Sequence, residues 1–174
     1  MKKQIISSII IVLSTFFSSN SFAIQKSDIE NLEYSLVAWG SDDKFEKAIK
    51  LKNGKFEYQG PQGVMDRESV ILLKSYIGDI NDDSISDAAV ILSHNTGGSG
   101  SVIQVAAVID QGGKLKHVAS RNLGDRTDIK SIKIEKNIIV IDIANERFYP
   151  GESKIVRYQL KNNKLAGQKP FKQL

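Results

Sequence analysis

The sequence predicts an all-β fold: one antiparallel β-sandwich or open barrel of eight to nine strands, with room for one short N-terminal helix. Three observations carry this. Apolar runs of strand length alternate with turn signals such as Asn53-Gly54, Gly112-Gly113 and Asn162-Asn163. Residues 88–92 (AAVIL) and 101–110 (SVIQVAAVID) are nearly continuous apolar runs, the pattern of strands covered on both faces. No sustained helical periodicity and no domain linker interrupts them. An antiparallel meander of this size must roll up or fold over to bury its apolar faces.

Taken in order, residues 24–37 (IQKSDIENLEYSLV) begin with a short helix capped by Ser27 or Asp28, or lead into an edge strand. Trp39 and the Gly40–Asp43 stretch read as a turn. In residues 48–58 (AIKLKNGKFEY), Asn53-Gly54 is the preferred pair for a two-residue type I′ hairpin, because both positions need positive φ. The register that follows sets Leu51 opposite Phe56, Ile49 opposite Tyr58 and Lys50 opposite Glu57, so apolar meets apolar and opposite charges meet. Residues 59–67 form a glycine-rich loop with Pro61. Residues 69–77 (SVILLKSYI) are a strand, and 88–92 the strand that follows it.

Residues 93–100 (SHNTGGSG) connect to the strand at 101–110, Gln111-Gly112-Gly113 turns the chain, and 114–121 return. Residues 122–128 (NLGDRTD) read as a loop. Lys136-Asn137 is the turn of a hairpin that sets Ile134 opposite Ile139 and Ile132 opposite Ile141. Pro150 breaks the pattern at 148–151. Residues 154–160 alternate Val156, Tyr158 and Leu160 on one face, and Asn162-Asn163 lets Leu160 meet Leu165. The polar end, 168–174, reads as frayed.

The chain has 174 residues, no cysteine, 41% hydrophobic and 25% charged residues, enough for one good core and short for two. Lys2 and Lys3, the apolar run 5–17 and Ser21-Phe22-Ala23 read as a secretory signal ending at residue 23. Its apolar part is short for a bilayer span. Cleavage would leave a single β domain, 24–174, and lower the net charge from +4 to +2, since two lysines and no acid are lost. The expected place is therefore periplasmic or secreted, with no transmembrane segment after cleavage. No cysteine near the cut can carry lipid, and none can form a disulfide. No dense basic patch with interleaved aromatics remains, which argues against a nucleic-acid partner.

The chemistry-bearing stretch is 76–92, YIGDINDDSISDAAVIL. Numbering Asp79 as one puts Asn81 at three, Asp83 at five, Ile85 at seven and Asp87 at nine. Calcium takes six to eight oxygens, and a tight loop supplies side chains at one, three, five and nine and a backbone carbonyl at seven, where Ile85 is free to be apolar. Position twelve is Val90, which excludes an ordinary EF-hand. The spacing resembles the calcium loops of FG-GAP and VCBS-type β-repeats. That resemblance implies Asp79, Asn81, Asp83 and Asp87 as side-chain ligands, Ile85 as a carbonyl ligand and calcium as the cofactor. Gly78 and Ala88-Ala89-Val90 match too, while Asp82 and Ser84 stand where such loops commonly carry glycine. Over about 78–142 the chain also resembles uncharacterised exported bacterial β-proteins, which implies fold and compartment and no activity. The other reading of the stretch is a solvated turn whose Asp and Asn side chains cap their own backbone. If calcium binds, the expected affinity is in the weak extracellular range, about 10⁻⁴–10⁻³ M.

Other candidates are fewer. Gly97, Gly98 and Gly100 form either an anion-binding nest or a plain hairpin tip. Ser101 does not make a nucleophile elbow. His94 and His117 are the only histidines, and zinc would need further ligands. Asp125 and Arg126 read as a structural pair. Tyr34, Trp39, Phe148 and Tyr149 are exposed binding aromatics or, more commonly for strand ends, core edges. The leading expectation is an exported non-catalytic β domain, stabilised by calcium, that binds a protein or envelope component. The alternative is a small periplasmic hydrolase using an acid and His94 beside the glycine-rich loop.

Overall fold

The computed structural model describes residues 23–38, 40–144 and 153–168. The expected turn residue Trp39, the Pro150 break, most of the C-terminal end and residues 1–22 of the expected signal lie outside them. Helix α1 (Lys26–Glu30) leads into strand β1 (Glu33–Val37), so the N-terminal stretch holds both elements its sequence allowed. The cap differs from expectation. Gln25 is the N-cap, and Asp28 sits inside the first turn, accepting the Gln25 N–H at 2.8 Å as the back half of a capping box.

Strand β2 (Phe45–Lys50) pairs antiparallel with β1, setting Tyr34 opposite Ile49. Strands β3 (Lys55–Gln59), β4 (Arg67–Gly78), β5 (Asp87–Asn95), β6 (Val102–Asp110) and β7 (Leu115–Asp125) form a five-stranded antiparallel meander. Strands β8 (Asp128–Glu135), β9 (Ile138–Ala144), β10 (Ser153–Lys161) and β11 (Lys164–Gly167) form a second meander of four. The architecture is all-β, open and layered. The described residues hold eleven strands, more than the eight to nine expected.

The middle layer is the five-stranded sheet. Ala89, Ile91, Ile103, Val105 and Ala107 pack against Ile132, Ile139 and Ile141 of the four-stranded sheet. Ala88, Val90, Leu92, Ala106 and Val108 face the other way, onto Ile29, Tyr34, Leu36, Ile49 and Leu51 of the N-terminal layer. Alternate residues of β5 and β6 thus enter two different cores, which is why both strands read as unbroken apolar runs.

The turns divide into those that set a register and one that does not. Lys136 and Asn137 have φ of 48° and 62°, and Ile134 meets Ile139 and Ile132 meets Ile141. Asn162 and Asn163 have φ of 49° and 57°, and Leu160 meets Leu165. Asn53 and Gly54 also form their two-residue turn, at φ 52° and 76°, closed by Lys52 and Lys55. The expected pairs Leu51–Phe56, Lys50–Glu57 and Ile49–Tyr58 do not form. Instead Ile49 pairs with Tyr34 and Phe56 with Val70, so the strands leaving the turn belong to different layers. The Gly54 N–H goes to the Glu30 carbonyl at 2.8 Å, and the Gly54 carbonyl accepts the Leu72 N–H at 2.8 Å. Asn53-Gly54 is a corner, and burial of Ile49 and Leu51 outweighs the local pairing.

Residues 122–128, expected as a loop, are the end of β7 and the start of β8, joined through Arg126 at φ 49°. Register shifts opposite Gln104 and Val108 let β7 run that far.

Candidate metal loop

Gly78 and Asp87 face each other across the β4–β5 ladder, so residues 79–86 close a loop between two strands of the middle sheet. A Cβ on Gly78 would sit 3.2 Å from the Ile134 Cβ, a close approach of β4 to β8 that glycine makes easy. Ile80, 1% exposed, is driven into the core between the two meanders and anchors the loop from below.

The acidic side chains then fold inward by the same local bond repeated. Asp79 Oδ1 accepts the Asn81 N–H at 3.1 Å, Asn81 Oδ1 the Asp83 N–H at 3.2 Å, and Asp83 Oδ1 the Ile85 N–H at 2.8 Å. Each is an Asx turn, in which the side-chain oxygen stands in for a backbone carbonyl. Asp79 also accepts the N–H groups of Asp82 and Ser84, at 2.7 and 2.9 Å, and Asn81 Nδ2 donates to Asp83 Oδ2 at 2.8 Å. Asp82 and Ser84 pay for this winding with left-handed φ of 68° and 65°. These are the two positions where the resembling loops carry glycine.

Asp87 lies deeper, at 0% exposure. Its Oδ2 accepts the Ile80 N–H at 2.9 Å and its Oδ1 the Asp110 N–H at 3.0 Å, tying the loop to the end of β6. Burial holds its pKa above the ordinary carboxylate value, and the charges of Asp83 and Asp79 push the same way, against the two backbone N–H bonds. Mutual repulsion among Asp79, Asp83 and Asp87 is the electrostatic condition that a cation relieves.

The donor set fits a hard cation in kind: carboxylate and amide oxygens at 79, 81, 83 and 87 and the Ile85 carbonyl, with no sulfur or imidazole. Among the described residues no three Asp, Glu or His side chains converge as a ready coordination group. The loop's oxygens are engaged with its own N–H groups, and Asn81 and the Ile85 carbonyl would have to supply part of any shell.

At the opposite end of β5, Asn95 fills the glycine-rich connection. Its amide donates to the Gly98 and Gly100 carbonyls at 3.0 and 2.6 Å, and its carbonyl accepts the Gly97 N–H at 2.8 Å. The Gly97 N–H and two inward carbonyls are thus taken by one side chain. Asp125 and Arg126 pair at 2.7 Å, and Asp125 also accepts the Ser101 N–H at 2.9 Å, a tie that holds the β7 end to the start of β6. Tyr34 is fully buried with its hydroxyl on the Ile29 carbonyl at 2.8 Å. Trp39, Phe148 and Tyr149 lie outside the described residues.

Of the polar groups beneath the N-terminal layer, the sequence named His94 and His117 but not their partners, nor Glu68 and Gln104. His94, 2% exposed, bonds through Nε2 to Glu68 Oε1 at 2.6 Å, and Lys47 bonds the other Glu68 oxygen. Burial opposes ionisation of Glu68, but the bonds and charges of Lys47 and His94 outweigh it, and its pKa is lowered. A shallow cleft of about 310 Å³ opens beside this pair, lined by Lys47, Tyr58, Asp66, Arg67, Glu68 and Thr96. On the same face, the outer edge of β1 is satisfied by side chains. The Ser35 N–H donates to His117 Nδ1 at 3.3 Å and the Val37 N–H to Gln104 Oε1 at 3.0 Å. An acceptor role at Nδ1 requires neutral imidazole, and burial pushes the His117 pKa down to about 4.

Among the described residues no helix is long and apolar enough to cross a membrane. Comparison with protein-family models, curated proteins and solved structures finds no match to this chain. The resemblance of residues 78–90 to β-repeat calcium loops therefore stands on the loop's own residues.

Proposed function

We propose that this chain is an exported, non-catalytic β domain whose Asp79–Asp87 loop takes calcium, and that it serves in the envelope or outside the cell as a module binding a protein or envelope component. The observation that carries the metal reading is the run of three Asx turns at Asp79, Asn81 and Asp83 above the buried Asp87. These turns collect oxygens at alternate residues between two core strands. Bound calcium would neutralise the crowded carboxylates and fasten β4 to β5, so binding would add to folding stability.

Thermal melting in calcium and in chelator, with Asp83→Ala alongside, tests it. At calcium ten times the dissociation constant, linkage gives about 1.4 kcal/mol, a rise of a few degrees in Tm. The Asp83→Ala protein should melt at one temperature in both conditions. Equal melting of the unsubstituted protein with and without calcium would remove the metal.

The Glu68–His94 pair supports a second reading, a small hydrolase working at the cleft beside the glycine-rich loop. Glu68 lines that cleft and His94 does not. The imidazole orients the carboxylate from inside the core, where no substrate reaches it, and this favours the non-catalytic reading. Hydrolysis of ester or glycoside substrates that is lost in Glu68→Gln would reverse the preference.

A further inference from the structure

We propose that the cleft above the Glu68–His94 pair binds a neutral saccharide, with Glu68 accepting hydrogen bonds from its hydroxyls and Tyr58 lying against its ring. This rests on the reading of the chain as a non-catalytic binding module and names the class of component it takes; it does not rest on the metal. On this face of the middle sheet the neighbours of the pair are Val70, Val90 and Leu92, all fully buried. An imidazole buried among them with a carboxylate for partner is a costly exception. It falls where a cleft opens between β2 and the start of β4, and such breaks in an apolar pattern gather at functional sites. The His94 Nε2–H donates to Glu68 Oε1 at 2.6 Å, and the Lys47 ammonium donates to Oε2. A carboxylate offers about four lone-pair positions, so these bonds fix both oxygens and leave acceptor capacity open. A glutamate free in water loses rotamer freedom when it binds a ligand, whereas this one is already held.

The lining selects the ligand. Lys47 and Arg67 are balanced by Asp66 and Glu68, so the cleft favours an ion of neither sign. Every lining residue carries a hydrogen-bonding group, with donors and acceptors side by side. The hydroxyl is the neutral group that serves both at once. Tyr58 stands directly opposite Glu68 across the β3–β4 ladder and is 50% exposed. A ring with a fixed acceptor beside it matches the two parts of a sugar, its C–H face and its hydroxyls. At Gly60 a Cβ would stand 1.7 Å from Asp66 Oδ2, so glycine is what admits the second carboxylate to the cleft wall. The volume of about 310 Å³ is at the low end of ligand pockets, about 300–1,000 Å³, and suits a sugar unit rather than a long extended chain.

Binding of the purified protein to an array of immobilised neutral glycans, with calorimetry on those it retains, tests the site in calcium and in chelator. At least one neutral glycan should bind in both. Tyr58→Ala removes a half-exposed ring, and should weaken binding at least about tenfold while leaving Tm where it is. Glu68→Gln, which keeps the shape but halves the acceptors, should weaken it as well; the Tyr58 variant carries the test if that one does not fold. An array with no neutral glycan bound overturns the proposal and leaves the non-catalytic reading standing. So does binding confined to peptides, free amino acids or anions, or a glycan that Tyr58→Ala holds as well as the unsubstituted protein. A bound glycan that is cleaved overturns the proposal together with that reading.

Discussion

The two faces of the middle sheet are closed in different ways. Toward the four-stranded meander the contact is hydrocarbon: Ile91, Val105 and Ala107 against Ile132, Ile139 and Ile141. Toward the N-terminal layer, an apolar patch around Tyr34 and Leu36 gives way to Gln104, His117, Ser120, His94 and Glu68. The first face is held by area, which is nondirectional and tolerant of small shifts. The second is held partly by bonds to the edge of β1, which work only in one alignment and one protonation state. One sheet thus carries a robust face and a conditional one.

Substitutions can break that contrast. The largest effect is expected at the hydrocarbon face, where Ile141→Ala should lower unfolding free energy by about 3–4 kcal/mol in urea denaturation. Acid should act on the other face. The His117 pKa lies below its ordinary value of 6.5, at about 4. The unfolded chain therefore binds the proton first, so the His117 contribution is complete above pH 6.5 and is lost as pH falls toward 4. The loss is on the order of 3 kcal/mol at most. His117→Gln, whose amide oxygen can still accept the Ser35 N–H, should show a flatter fall in urea midpoint over that window. If the two proteins fall equally, other groups set the acid sensitivity. Gln104→Leu should cost least, about 1–2 kcal/mol, because it strands the Val37 N–H. Part of that cost is returned, since Gln104 Nε2 is itself buried without a partner.

The same contrast marks what the sequence could disclose. Lys136-Asn137 and Asn162-Asn163 each predicted a register, because the flanking apolar residues have no better partner than one another. Asn53-Gly54 predicted its turn and missed the strands' destinations. Turn chemistry acts over four residues, whereas the choice between Tyr58 and Tyr34 as partner for Ile49 was made by packing of the N-terminal layer onto the middle sheet. The unbroken runs in β5 and β6 announced cover on both faces without saying what covered the second. His117 and Gln104 gave no sign, since a polar residue in a strand looks the same whether it meets water or the backbone edge of a layer far off in the chain. At the acidic loop, the alternate Asp and Asn residues marked a turn between two strands, and Asp79, Asn81 and Asp83 cap its backbone, as the other reading of that stretch has it. The depth of Asp87 and its bond to the Asp110 N–H depend on β6, which local spacing does not see.

The corner at Asn53-Gly54 also bears on the expected order of assembly. The described residues before it form one outer layer, and partners of that layer come much later: Val37 and Gln104 are 67 residues apart, Ser35 and His117 82. The two meanders need only neighbouring hairpins, which close quickly, while contacts across such spans are slow to find. The N-terminal layer is thus expected to settle last. Until it does, the row from Ala88 to Leu92 is bare on one side, and a chain held up at that moment would be at its most adhesive.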